Sequence, residues 1–137
     1  MLHGVPGVAA DVLAKFVAPG ARFAPHYYVD SNGAIFQLID EQYAAWHAGF
    51  ATLDKVWFNI NRSSVGIALE RPALWPEAIA AYPDAQTFAL RWLLQQLDRR
   101  YQLAPDAVVL WSSLAGNDRQ TLDGLPLESI AEVLAYR

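Results

Sequence analysis

The 137-residue sequence contains no cysteine, which excludes disulfides, thiolate metal centres and a cysteine nucleophile together. His, Asp and Glu are left as the strong ligand types. Histidine is itself scarce, at three residues: His3, His26 and His47. Lack of cysteine suits an oxidising or a reducing compartment equally and places the protein in neither. No run of 18 apolar residues occurs, so no membrane span is expected. Met1-Leu2-His3 leads into a Gly- and Pro-containing stretch rather than the charged and apolar regions of a secretory signal. Localisation therefore stays open between the cytoplasm and delivery by lysis or export. The ten basic residues are scattered, net charge is -4 and the pI is about 5.2. Nothing here would neutralise a phosphate backbone, so nucleic acid is not an expected partner.

What is present is a globular composition, 54% apolar and 18% charged. The length suits one buried core and is short for two, so one domain over residues 1–137 is expected. Five Trp and six Tyr exceed what such a core requires. They read either as core and lid packing or as an aromatic-lined groove for a sugar or peptide.

No internal repeat, low-complexity tract or linker interrupts the chain. Val8, Val12, Leu13 and Phe16 have helical spacing that stops at Pro19-Gly20, predicting a helix over 8–17. The apolar runs 26–30 and 34–39 flank Ser31-Asn32-Gly33, a strong hairpin signal. Residues 44–50 form a small-residue and aromatic segment, and the polar stretch 59–63 leads into the buried-strand run 64–69, expected to be central in its sheet. After a Pro-rich turn over 71–83, Asp84 is placed to cap a long helix carrying Phe88, Leu90, Trp92, Leu93, Leu94, Leu97 and Tyr101. Pro105-Asp106 breaks the chain before a further strand-like run over 107–111, a polar loop over 112–124 and a terminal helix over 127–136. The alternation predicts an α/β fold with a mixed central β-sheet flanked by helices.

Several segments, in this order, carry a more specific pattern. They are Leu2-His3; Ala24-Pro25-His26-Tyr27-Tyr28-Val29-Asp30; Asn32-Gly33-Ala34-Ile35-Phe36-Gln37-Leu38; Ala45-Trp46-His47-Ala48-Gly49; Asn61-Arg62-Ser63-Ser64-Val65-Gly66-Ile67-Ala68-Leu69-Glu70; and Tyr82-Pro83-Asp84-Ala85-Gln86. Over nearly the whole chain the sequence resembles the zinc-dependent N-acetylmuramoyl-L-alanine amidases (type 2) and the peptidoglycan recognition proteins. The resemblance implies a sheet flanked by helices and hydrolysis of the amide between the lactyl group of N-acetylmuramic acid and the first L-alanine of the stem peptide. It also implies one zinc held by two His and an Asp or Cys, a fourth position left to water, a Glu on the central strand as general base, and a basic group for the oxyanion.

Carried over by residue, the resemblance puts His3 at the first metal ligand. Trp111 stands where the second, a histidine, is expected, and no histidine follows His47. The third position falls on Thr121, or on Asp123 if the loop is shifted by two. Ala68 stands at the general base and has no group to move a proton. Glu70 lies on the same strand face, roughly 6 to 7 Å further along, as a weak catalytic candidate. Each residue also has a plainer reading. His3 reads as a ligand or as a ring hydrogen-bonded at a sheet terminus, and Asp123-Gly124 as a ligand or a turn. Arg119, beside Asp118, reads as an oxyanion partner or a solvated loop tip. His47, with Trp46 and His26, reads as groove lining or as buried hydrogen-bonded rings, and a site of His3, His26 and His47 together is conceivable. The expectation is an amidase-like domain with a broken zinc site and no cofactor, which binds peptidoglycan fragments (muropeptide) or contacts protein. The alternative is a working zinc amidase with ligands drawn from His3, Asp118 or Asp123, and Glu70.

Overall fold

A computed structural model describes residues 1–53, 55–71, 81–114, 122 and 124–135. Trp75, Asp118, Arg119, Thr121 and Asp123 lie outside these, as does most of the Pro-rich turn expected over 71–83. A four-stranded sheet contains β1 (Leu2–Val5), β2 (Tyr27–Val29), β3 (Ile35–Gln37) and β6 (Ile67–Glu70), in the order β1-β6-β2-β3. β6 runs parallel to both β1 and β2, and β2 is antiparallel to β3. The sheet is mixed, as expected, and β6 is interior. A strand covered on both faces reads as a continuous apolar run, which is why residues 65–69 lack alternation.

Register sorts the side chains. Leu2, Ile67 and Tyr27 form one row, and Gly4, Leu69 and Val29 another. This face packs on Ala89, Leu90, Leu93, Leu94 and Leu97 of α3 (Asp84–Tyr101) and on Ile130 of α5 (Leu127–Ala131). Burial of each such leucine contributes about 1.5–3 kcal/mol. The row between them, His3, Ala68 and Tyr28, faces the other way. There Tyr28 and Ala68 meet Val12 and Phe16 of α1 (Ala9–Val17). The candidate site lies on this second face.

Local chemistry explains the joints. In the β2–β3 turn, Asp30 Oδ1 accepts from the N–H groups of Asn32 and Ala34, each at 2.9 Å, and Gly33 takes φ +83°. An added Cβ at Gly33 would stand 2.5 Å from the Ala85 carbonyl oxygen, so the turn seats directly on the start of α3. Buried Gln86 donates from Nε2 to the carbonyls of Val29 (3.1 Å) and Glu70 (2.9 Å), tying α3 to the ends of β2 and β6.

Three expectations are corrected, and one element is added that the sequence did not signal. Asp84 is the first helical residue rather than the cap; Pro83 holds the cap position, with no side-chain cap bond. The run 107–111 is not a strand: only Leu110 bridges to Leu2, and Trp111–Leu114 turns into a short helix, α4. The terminal helix is α5 followed by a 3-10 turn, Glu132–Leu134. Residues 50–63 hold a second two-stranded sheet, β4 (Phe50–Leu53) against β5 (Val56–Asn59), and a one-turn helix, α2 (Ile60–Ser63).

Because Gly33 combines a left-handed backbone with backbone atoms inside Cβ contact, Gly33→Ala is expected to cost about 1–3 kcal/mol. Urea denaturation reads this as a lower midpoint at unchanged slope.

Candidate functional site

Three histidines distant in sequence come together at the start of the sheet. Ring centroids are 5.2 Å apart for His3 and His47 and 5.9 Å for His26 and His47; all three rings are buried. His3 stands on β1 and His26 immediately precedes β2. His47 comes from the loop after β3 and lies flat on Gly66, where an added Cβ would fall 2.3 Å from its Cγ. Only glycine lets that ring approach the backbone before β6 so closely.

The hydrogen-bond network assigns the protons. Ser64 Oγ donates to the Ile60 carbonyl at 2.8 Å, so at 3.2 Å it accepts from His47 Nε2–H. His47 Nδ1 is then an acceptor, and His3 Nε2–H donates to it at 2.9 Å. His26 accepts from Gly66 N–H at Nδ1 (3.0 Å) and donates from Nε2 to the Tyr43 carbonyl (2.8 Å). Both nitrogens of His26 and of His47 are thus occupied. Burial, and after it the neighbouring His3, the chain N-terminus and His26, push the His47 pKa down to about 3.

Two aromatic rings pack against His3. Phe23 meets its ring edge-on at 5.3 Å, and Trp111 lies tilted against it at 5.9 Å. Ala68, in register with His3, presents a methyl where the resemblance expects a carboxylate. Glu70 is engaged elsewhere, its Oε2 accepting from Ser31 N–H at 2.7 Å. Among the described residues no three His, Asp or Glu side chains converge as a metal site. Among the described residues alone the donor set that the resemblance implies is not completed: both ring nitrogens of His26 and His47 are hydrogen-bonded within the protein, and Phe23 and Trp111 pack against the His3 ring.

The loop bearing Trp46 and His47 is held from two sides. Asn61, on α2, accepts three backbone N–H groups at one oxygen, from His47 (3.1 Å), Ala48 (2.8 Å) and Gly49 (2.9 Å). Further back, Glu41 accepts from Tyr27 Oη, from Arg100 at 2.6 Å and from Tyr101 Oη at 2.6 Å, clamping the loop to β2 and α3. Burial first, then the Glu41 bond, raises the Tyr27 pKa.

Above His47 opens a cleft of about 280 Å³, lined among the described residues by Arg22, Phe23, Trp46, His47, Gly49 and Trp111, with Ala48 and Asn61. Trp46 stands exposed on its rim, while His47 and Trp111 form buried walls. The structure therefore brings His3, Trp46, His47 and Trp111 together. His26 lines a separate cavity of about 420 Å³, beside Leu2, Ile67, Leu94 and Leu97. Arg22 and Asn61 carry no sequence signal for these roles. The Arg22 guanidinium makes no ion pair or hydrogen bond among the described residues.

Two outcomes follow from this geometry. His47 has a folded pKa of about 3 against an ordinary 6.5. The unfolded chain binds the extra proton between those values, so the His47 contribution is complete above about pH 6.5 and drains away as pH falls toward 3. A denaturant midpoint that falls between pH 7 and pH 4 in wild type, and falls less in His47→Gln, is the expected result. Gly66→Ala should displace the His47 ring, seen by NMR as loss of the neutral, Nε2-protonated imidazole signals.

The chain was compared with known proteins. The family model for N-acetylmuramoyl-L-alanine amidase matches residues 9–123. The N-acetylmuramoyl-L-alanine amidase AmiD of Escherichia coli (strain K12) is 34% identical over 105 residues, which are 69% of this chain and 38% of that protein. The structure of the E. coli AmiD complex with anhydro-N-acetylmuramic acid-L-Ala-D-gamma-Glu-L-Lys superposes with a TM-score of 0.80 at 27% identity, over 96% of this chain and 55% of that one. AMPDH3 from Pseudomonas aeruginosa, in complex with anhydromuramic pentapeptide, gives 0.76 at 25% identity, over 96% and 57%. The chain spans less than two thirds of the length of each of these relatives. No described helix is long and apolar enough to cross a membrane. With a match over most of its length and a superposable fold, the chain belongs to the N-acetylmuramoyl-L-alanine amidase family.

Proposed function

We propose that this chain is an amidase-family domain that binds muropeptide without hydrolysing it. The observation that carries the reading is the row across β1 and β6. His3 spends its Nε2–H on His47, Ala68 offers only a methyl beside it, and Trp111 lies against its ring. Hydrolysis of an amide needs an activated water and a group to move protons. In the described cleft His47 is held neutral, and Glu70 lies outside the lining.

Recognition has better support. The cleft offers aromatic walls from Phe23, Trp46 and Trp111 and, among the described residues, one unpaired cation, Arg22. Such walls accept the apolar face of a sugar or short peptide, and a guanidinium pairs with a carboxylate. The solved relatives are complexed with anhydromuramic peptides, one of which carries D-gamma-Glu. We assign Trp46 and His47 to the walls and Arg22 to a stem-peptide carboxylate. Arg119 is proposed as a second cation on the same ligand, and Asp123 as an ordinary turn residue. The same reading treats residues 1–137 as one folding unit.

Titration calorimetry with anhydro-N-acetylmuramic acid-L-Ala-D-gamma-Glu-L-Lys tests this. Wild type should bind, and Arg22→Ala or Trp111→Ala should weaken binding by about tenfold, roughly 1.4 kcal/mol. Elemental analysis should find no stoichiometric zinc, and chromatography no released stem peptide. Tight equimolar zinc that disappears in His3→Ala, together with peptide release, would overturn the reading.

A further inference from the structure

The β4–β5 hairpin is not used by the cleft, and it leaves large aromatic rings bare. Register pairs Phe50 with Asn59 and Thr52 with Trp57 on one face, and Ala51 with Phe58 on the other. Ala51 is buried against Ile60 and Trp111, so its face is the inner one. The outer face carries Phe50, 67% exposed, Trp57, 72% exposed, and between and beside them Thr52 and Asn59. Phe50 and Trp57 are diagonal neighbours, roughly 7–8 Å apart and within reach of one flat ligand. Asn59 Oδ1 is buried and accepts no hydrogen bond among the described residues.

We infer that this outer face is a platform for the uncharged N-acetylated glycan chain of peptidoglycan, an extension of the muropeptide cleft. The inference rests on the binding reading above. Three observations select this occupant. The four outward residues carry no charge, which matches a neutral saccharide. The aromatic faces suit the axial C–H groups of pyranose rings, and Thr52 supplies a hydroxyl beside them, the buried Asn59 Oδ1 taking no part. The platform is also continuous with the cleft. Gly49 lines the cleft and precedes Phe50, Asn61 lines it and follows Asn59 by two residues, and Ile60 N–H donates to the Gly49 carbonyl at 2.8 Å. A sugar held in the cleft would have its neighbours along the chain directed over this hairpin. A membrane suits the feature less well, since the sequence between the two strands is the charged pair Asp54-Lys55 and the whole chain is at -4.

The test uses two probes: an uncharged β-1,4-linked N-acetylglucosamine oligosaccharide standing for the glycan chain, and the single-sugar tripeptide used above. Wild type should bind both. Trp57→Ser and Phe50→Ser together should weaken glycan binding by about tenfold or more, while Trp57→Phe retains most of it. Tripeptide affinity should stay within about twofold of wild type. Thermal midpoints should be unchanged, because both rings lie in solvent. Glycan affinity unaltered in the double variant overturns the inference, as does an equal loss for both probes. So does a double variant whose only change is in vesicle binding or sedimentation as a dimer. If wild type ignores the tripeptide but holds glycan through Trp57, the platform stands and the muropeptide reading falls. If it holds the tripeptide but ignores glycan, the reverse applies.

Discussion

Irregular chain can be buried only where its N–H groups find partners, and in the loop over the candidate site one side-chain oxygen meets three of them. Asn61 Oδ1 holds the backbone of His47, Ala48 and Gly49. With that backbone fixed, the His47 ring is pressed onto Gly66 and Trp46 is turned outward. The run of bonds from His3 through His47 and Ser64 to the Ile60 carbonyl then closes with one consistent set of proton positions. Asn61 sits on α2, the same turn of helix that anchors the base of the β4–β5 hairpin through Ile60. The floor of the cleft and the rim beyond it therefore depend on one short element.

Ala68 and Trp111, at the positions where the resemblance expects a carboxylate and a histidine, fit one packing arrangement. A carboxylate at position 68 would stand among Val12, Phe16 and Tyr28, where a buried charge is costly without a partner. A methyl there, with an indole against His3, removes that demand and leaves a close-packed layer. The neutral His47 belongs to the same pattern, since the ring is paired on both nitrogens and has no water-facing position from which to take up a proton.

Much of the frame was legible in the sequence because its signals are local. The spacing of Val8, Val12 and Phe16, the Ser31-Asn32-Gly33 turn, the apolar run into β6 and the leucines of α3 each declare themselves within a few residues. The β4–β5 hairpin did not, since Phe50, Val56, Trp57 and Phe58 leave no clean alternation and no Asn or Gly occurs in the sequence between them. The run 107–111 looked like a strand, yet it joins the sheet only through a single bridge, Leu110 beside Leu2, with Val109 accepting from Leu2 N–H at 2.8 Å. The site was legible in its members more than in its geometry. Resemblance marked His3, His47, Ala68 and Trp111, but the bond between His3 and His47 joins residues 44 apart, and no periodicity reports such a contact. Arg22 and Asn61 act through where the fold puts them, which composition cannot disclose.

Glu41 illustrates how far a single group can bind distant positions to a shared history. Its carboxylate is the common acceptor for two phenols and a guanidinium drawn from β2 and the end of α3. Loss of that acceptor would orphan all three donors at once, whereas loss of any one donor leaves two in place. Energies at positions 27, 41, 100 and 101 cannot then be additive. Drift among descendants of this sequence should find residue 41 the last of the four to change, and the other three free to change only while it stays.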